Sequence, residues 1–173
     1  DEIAEGLLRV MIENGIKGFK NPEDYDAMSE IMWCGSLSHN DLTGLGREKD
    51  FCVHKFGHAL GAKYDLAHGA TLSAMWGSWA EYVYRYDVDR FCHYGQKVWG
   101  IQGKDAVETA REAIRKTVDY FRSLEMPVNL KELEIGTLSD DTLMELAMNA
   151  TKGGTVKLSK IKELDVNDVY QIF

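Results

Sequence analysis

His54, His58 and His68 place three of the five histidines of this 173-residue chain within fifteen residues. Imidazoles bind metal ions and transfer protons near neutral pH. His54 and His58 are four residues apart, so on a helix they share one face. His68 follows His54 by fourteen residues, which on a straight helix is ~21 Å at ~1.5 Å per residue. If His54 and His68 serve one site, the helix must therefore break between them and fold back.

Two kinds of metal site are compatible with this spacing. In the first, His54 and His58 bind zinc as helical metalloproteases do, but Lys55, Phe56 and Gly57 offer no glutamate as base. In the second, His54 and His68 reach one ion from two helices while His58 works on the substrate. Neither arrangement completes a coordination shell, so further ligands must come from elsewhere.

The flanking sequence predicts helices that would position the three imidazoles. Asp50 can cap a helix that carries His54 and His58, and Asp65 and Gly69 bracket the required break. A helix from about Ala70 to Tyr86 is apolar nearly all round in its first half, which predicts a central, buried position.

Helical spacing of apolar residues recurs along the rest of the chain, and no segment has the period-2 alternation of a strand. Asn21 and Pro22 read as the start of a second helix that runs to about Leu37. The remaining predicted helices span residues 3–16, 87–100, 105–125, 140–151 behind a Ser139 cap, and a last segment ending at Phe173. The predicted fold class is all-α. His39 and His93 lie in a polar loop and a mostly surface helix and are expected to have no special role.

Composition excludes several classes of function. The net charge of −8 and the lack of a basic run argue against nucleic acid as a partner. No apolar stretch approaches the roughly 18 residues that span a bilayer, so no membrane association is expected. Cys34, Cys52 and Cys92 form no CxxC pair and are expected to be reduced. With no leader-like segment at the start, these features indicate a single cytoplasmic domain over residues 1–173.

The segment HKFGHALGAKYDLAHGATLSAMWGSWAEYV closely resembles the iron-containing alcohol dehydrogenases, in their butanol-dehydrogenase-like branch. The pattern H-x3-H-x9-HG followed by an apolar, tryptophan-bearing helix is specific to that family. The resemblance extends over nearly all of the chain, through NPEDYDAMSEIMWCGSLSHN, KVWGI, FRSLEMPVNLKEL and LDVNDVYQIF. It implies a multihelical domain like the C-terminal half of the dehydroquinate synthase-like, iron-containing alcohol dehydrogenase fold.

The resemblance also implies roles for the three histidines. His54 and His68 correspond to two of four protein ligands of a divalent metal, iron(II) or, in some members, zinc. His58 corresponds to a residue close to substrate and nicotinamide, which makes it the candidate catalytic and cofactor-binding residue. The implied reaction is reversible hydride transfer between NAD(P)H and a small aldehyde or alcohol.

The sequence departs from that family in one large respect, because residues 1–173 contain no strand–GxG–helix segment for a dinucleotide. The resemblance implies that NAD or NADP binds mainly to an N-terminal α/β domain outside this chain. We therefore expect a piece of a longer enzyme, inactive alone, with that N-terminal domain as its partner; a homodimer is left open. The surface facing that domain is expected at Met75, Trp76 and Trp79, with burial in the helical core as the alternative.

Two other functional classes stay open from the residues themselves. The chain could be a stand-alone helical binding or regulatory module. It could instead be a self-contained zinc hydrolase that uses His54, His58 and His68.

Overall fold

The structure is a computed structural model that describes residues 1–103 and 105–173. Within these residues the chain forms eight α-helices, two short 3-10 helices and no strand, apart from one isolated bridge between Leu158 and Leu164. The helices are α1 (Glu2–Lys20), α2 (Tyr25–His39), α3 (Cys52–Tyr64), α4 (His68–Val83), α5 (Val88–Trp99), α6 (Ala106–Ser123), α7 (Asp140–Ala150) and α8 (Val166–Ile172). The predicted all-α fold class is confirmed.

The helices group into two compact units. The first unit comprises Asp1–Lys49 and Asp89–Lys116, and within it α1 packs against α2. The second comprises Asp50–Val88 and Thr117–Phe173; in it α3 packs against α4 and α7, and α8 contacts α4 and α7. The single domain that the sequence indicates stays a prediction.

The start of α2 differs from the sequence-based expectation. Helix α2 begins at Tyr25, and the Asp24 carboxylate accepts a hydrogen bond from the Ala27 backbone N–H at 3.0 Å. Asn21 and Pro22 lie before the helix in a turn. The prediction that the helix starts there was wrong, because a second acceptor three residues further on satisfies the free N–H groups of the first turn.

The break between α3 and α4 falls where the histidine spacing requires it. Asp65 adopts a left-handed conformation with φ of 54° and ends α3, and α4 begins at His68 itself. Gly69 therefore lies inside α4, although we expected it to border the break between the two helices. The expectation that Asp50 caps α3 was wrong: Phe51 occupies the cap position without a side-chain bond, and the Asp50 carboxylate, one residue earlier, accepts from the Cys52 N–H at 2.8 Å.

Helix α4 is the buried helix that its composition predicted. Its buried residues are Thr71, Ser73, Ala74, Met75, Gly77, Ala80 and Val83. Several are small, which allows close packing: a Cβ on Gly77 would lie 3.0 Å from the Val118 side chain. Met75 is only 1% exposed, so it is buried in the core, which was the alternative to an exposed face. Trp76 and Trp79 are half-buried, and Trp76 packs edge-on against Phe121.

Two further expectations are consistent with the structure. All three cysteines are unpaired thiols. Among the described residues, no helix combines the length and the apolar character needed to cross a membrane.

Candidate metal centre

The three histidines come together on the hairpin formed by α3 and α4. The ring centroids of His54 and His68 are 5.2 Å apart, and those of His58 and His68 are 5.1 Å apart. The His54 and His58 rings, although only one helical turn apart, are separated by 6.3 Å. The break after Asp65 thus reverses the chain so that His68 lies beside both earlier histidines.

These separations can be compared with those of two imidazoles bound to one ion. At metal–nitrogen bonds of about 2.1 Å, the ion lies roughly 3 Å from each ring centroid, which puts the two centroids roughly 5 Å apart. Both pairs that include His68 have such a separation, whereas the pair of His54 and His58 is wider. The donor set of imidazoles therefore fits a divalent transition metal through His68 and one partner.

The planes of the rings favour His54 as that partner. The lone pair of an imidazole nitrogen lies in the plane of the ring, so two ligands of one ion need planes that cross near it. The rings of His54 and His68 are inclined at 60°, whereas those of His58 and His68 are stacked at 24°. Stacked rings direct their lone pairs along nearly parallel planes, which leaves His58 beside the candidate pair.

Close packing between α3 and α4 sets the position of these rings. A Cβ on Gly57 would lie 2.7 Å from the Thr71 hydroxyl oxygen, so the two helices touch at a point where only glycine fits. Thr71 is fully buried, and its hydroxyl donates a hydrogen bond to the His68 carbonyl at 2.8 Å. Gly57 lies between His54 and His58 in the chain, so this contact couples the two helices at the histidine cluster.

The cluster opens to the surface of the second unit. His54 is half-buried, and His58 and His68 are exposed. His58 also lines a groove of about 520 Å³ between α3 and α7, together with Lys55, Lys63 and Glu145. Lys63 and Glu145 form an ion pair of 2.6 Å across this groove. The imidazole cluster is therefore open to solvent beside this groove rather than enclosed in the core.

A different set of side chains forms the tightest group of potential ligands among the described residues. Asp1, Glu5 and His93 have ligand atoms that all lie within 4.8 Å of one another. No sequence pattern indicated this group, because Glu5 and His93 are 88 positions apart and only the fold brings the Glu5 Oε1 within 2.7 Å of the His93 Nε2. The Asp1 carboxylate is already paired with the guanidinium groups of Arg47 and Arg90, which disfavours a cation there.

A polar cluster in the second unit connects α8 to α4, and no sequence pattern predicted it either. Asp168 accepts hydrogen bonds from the Tyr82 hydroxyl at 2.6 Å and from Lys162 at 2.5 Å. The bond to Asp168, together with burial and the nearby charge, raises the pKa of Tyr82 to about 12. Burial raises the pKa of Asp168, but the bonds from Lys162 and Tyr82 outweigh it and leave that pKa below its ordinary value.

Comparison with known proteins identifies relatives along the whole chain. Residues 1–173 match the family model described as Fe-containing alcohol dehydrogenase family, C-terminal. NADH-dependent butanol dehydrogenase A of Clostridium acetobutylicum is 37% identical over 175 residues, which cover 100% of this chain and 44% of the relative. The NADPH-dependent aldehyde reductase YqhD of Escherichia coli is 32% identical over 151 residues, covering 84% of this chain and 38% of the relative.

Solved structures have the same fold. The crystal structure of NADH-dependent butanol dehydrogenase A from Thermotoga maritima superposes with a TM-score of 0.89 at 27% identity, covering 99% of this chain and 44% of that one. The substrate- and cofactor-free form of YqhD from E. coli gives a TM-score of 0.88 over 97% of this chain. The chain thus spans less than half the length of the relatives it matches.

Proposed function

Because the chain belongs to the Fe-containing alcohol dehydrogenase family and matches its C-terminal part, we propose that it forms the metal-binding, substrate-lining half of an NAD(P)H-dependent alcohol dehydrogenase. The observation that carries this proposal is the exposed cluster of three imidazoles around the α3–α4 break. The reaction is the reversible interconversion of a small aldehyde and its alcohol. Two matched relatives are named for the use of NADH and NADPH, respectively.

We assign His54 and His68 as metal ligands. Their centroid separation of 5.2 Å and crossed ring planes support this pair. Two imidazoles leave a divalent ion short of a full shell, so the remaining protein ligands come from the part of the enzyme outside this chain. We assign iron(II) as the bound metal, supported by a family description that names iron, with zinc as the alternative. The chain alone is therefore expected to bind metal weakly and to lack dehydrogenase activity.

The chemistry supplied by the bound groups is Lewis-acid polarisation of the substrate oxygen by the metal and hydride transfer by the nicotinamide. In this proposal, residues of this chain position the metal ligands and transfer the proton of the alcohol. The close contact of Gly57 with Thr71 joins the two ligand helices, and the hydrogen bond from Thr71 to the His68 carbonyl fixes the Thr71 side chain within α4. Packed, hydrogen-bonded supports of this kind keep ligand atoms in place during turnover.

We assign His58 the handling of the alcohol proton and contact with the nicotinamide. Its ring is exposed, stacks on His68 and lines the groove between α3 and α7. An imidazole in this position can give a proton to the oxygen of a reduced aldehyde or take it from an alcohol, near neutral pH.

The three unpaired cysteines support a reducing, cytoplasmic location for the enzyme.

The test uses the full-length enzyme loaded with iron. Elemental analysis measures bound metal, and NADH or NADPH oxidation with a short-chain aldehyde measures turnover. His54→Ala and His68→Ala should release the metal and abolish turnover, whereas His58→Ala should keep most of the metal and lower turnover. His39→Ala is the matched control, because His39 is an exposed histidine at the end of α2 in the other unit.

The outcomes separate the assignments. Loss of metal in all three cluster variants would show that His58 is a ligand and would refute the division of roles. A metal-loaded enzyme that reduces no aldehyde and oxidises no alcohol would refute the proposed activity itself.

A further inference from the structure

Helices α1 and α2 form a tightly closed hairpin. A Cβ on Gly18 of α1 would lie 2.7 Å from the Ile31 side chain and 3.1 Å from the Met28 sulfur on α2. This close contact shows that the two helices are tightly packed where Gly18 meets α2. Exposed side chains on the hairpin therefore do not result from loose packing.

This hairpin buries little apolar surface. Its fully buried residues are Glu5 and Gly18 on α1 and Ala27 and Cys34 on α2, none of them a large apolar side chain. Helix α4, of similar length, has seven buried residues. A helix with apolar side chains on an outward face needs a further partner to bury them.

Eight of the thirteen large apolar side chains that are exposed among the described residues lie on this hairpin and the turns after it. These eight are Ile3, Leu8, Phe19, Tyr25, Met32, Trp33, Leu42 and Leu45. Met32 and Trp33, adjacent on α2, are 70% and 62% exposed. We name Met32, Trp33, Leu42 and Leu45 the hairpin apolar surface. The four residues fall within one stretch of fourteen residues, on α2 and the turns that follow it. Exposed apolar side chains concentrated in one stretch, tryptophan in particular, are typical of protein contact surfaces.

The path of the chain indicates what covers this surface. The Asp1 carboxylate accepts a hydrogen bond from Arg47 at 2.6 Å, and Arg47 follows Leu45 by two residues. The backbone before α1 therefore starts next to the turn that carries Leu42 and Leu45. The family match is to a C-terminal part, and the chain spans only 44% of the C. acetobutylicum relative.

We propose that the hairpin apolar surface is the docking site for the polypeptide that precedes Asp1 in the full-length enzyme. The inference rests on the proposed function, since that function requires the longer enzyme. It moves the contact with the preceding polypeptide from α4, where Met75 is buried, to the exposed face of α2. Docking there covers Trp33 and fixes the α1–α2 hairpin against the rest of the enzyme.

The test compares methionine oxidation by dilute hydrogen peroxide in two proteins: residues 1–173 alone and the full-length enzyme. Peptide mass spectrometry follows each methionine. Met32 should be oxidised rapidly in residues 1–173 and several-fold more slowly in the full-length enzyme, because the preceding polypeptide covers it. Met75 is the internal reference, since it is 1% exposed and should react slowly in both proteins.

Equal oxidation rates of Met32 in the two proteins would overturn the inference. Protection of Met32 that increases with the concentration of residues 1–173 would also overturn it, since the occupant would then be a second copy. Activity is measured in parallel. An inactive full-length enzyme with a protected Met32 would refute the proposed function and support the docking site.

A pair of substitutions gives a second readout. Trp33→Ser should lower the melting temperature of the full-length enzyme by several degrees and leave that of residues 1–173 nearly unchanged. Tyr86→Ser is the matched control, because Tyr86 is an aromatic residue of similar exposure, 59%, in the other unit. Equal changes for Trp33→Ser in the two proteins would contradict docking at this surface.

Discussion

Replacing Gly57 by alanine should push α3 away from α4 at the histidine cluster. The added Cβ would lie 2.7 Å from the Thr71 hydroxyl oxygen and 3.0 Å from a Leu72 methyl carbon. Contacts this short force a neighbour to move. Thr71 is β-branched and buried, and its hydroxyl is bound to the His68 carbonyl, so it has little freedom to do so.

The expected magnitude follows from two opposing effects. Alanine is more favourable than glycine inside a helix by about 0.8–1.0 kcal/mol. Overpacking a buried contact costs about 1–3 kcal/mol. The free energy of unfolding of Gly57→Ala should therefore fall by about 0–2 kcal/mol.

Gly61→Ala is the matched control on the same helix. A Cβ there would meet only the Leu66 carbonyl oxygen at 3.7 Å, which is an ordinary contact. This variant should gain the full helix preference of about 1 kcal/mol. Urea unfolding followed by far-UV circular dichroism measures both, and the two variants should differ by about 1–3 kcal/mol, the overpacking cost alone. Equal stability of the two variants would refute close packing at Gly57.

Thr71→Ala tests the cause, because it removes the oxygen that the new Cβ would meet. In the Gly57→Ala/Thr71→Ala double variant, the loss should be smaller than the sum of the two single losses. In the full-length enzyme, Gly57→Ala should also weaken metal binding while Gly61→Ala should not, since only the former displaces His68 relative to His54. Additive losses would show that Gly57 and Thr71 do not interact.

Four further predictions concern other parts of the chain. Asp168→Asn should return the pKa of Tyr82 from about 12 toward its ordinary 10.0, as measured by phenolate absorbance during alkaline titration; a pKa that stays high would exclude the bond to Asp168 as its main cause. The folded pKa of Asp168 is below the ordinary 3.8. The contribution of this carboxylate to stability is therefore complete above pH 3.8 and is lost as the pH falls through the folded pKa. Asp168→Asn should consequently lose less stability on acidification than the parent protein. Ser139→Ala should cost about 1 kcal/mol in urea unfolding, because the Ser139 hydroxyl accepts from the Thr142 N–H at the start of α7; an unchanged midpoint would mean that the cap contributes nothing. Burial and the nearby Asp50 raise the pKa of the Cys52 thiol, so iodoacetamide should modify half-buried Cys92 in the folded chain and Cys52 only after unfolding, a difference that mass spectrometry detects.

Local signals in the sequence account for most of the helices. Ser139 is the cap of α7 that the sequence predicts, and its hydroxyl accepts a hydrogen bond from the Thr142 N–H. The spacing of His54 and His68 required a chain reversal, and the left-handed Asp65 ends α3 at that point. The start of α2 could not be resolved, because Asn21 and Asp24 are both good helix caps and only the fold selects Asp24.

Features that depend on distant residues could not be predicted. The pairing of Glu5 with His93 and of Tyr82 with Asp168 joins positions far apart in sequence, without a local pattern. For Met75, Trp76 and Trp79 on α4 the sequence left both an exposed face and burial open; Met75 is buried, and the exposed tryptophan is Trp33 on α2. The roles of the three histidines stay a prediction, because two imidazoles do not complete the coordination shell of a divalent ion.

The hairpin of α3 and α4 has a consequence for the order of folding steps. The two proposed metal ligands lie in one continuous segment of 32 residues, Cys52–Val83, and the contacts between its two helices are local in sequence. Structures of low contact order form rapidly, because little loop-closure entropy is lost before native contacts begin to stabilise them. The hairpin can therefore bring the two imidazoles together at an early stage of folding. Under the proposed assignment of His54 and His68, metal capture is then a late event that waits for ligands from the rest of the longer protein.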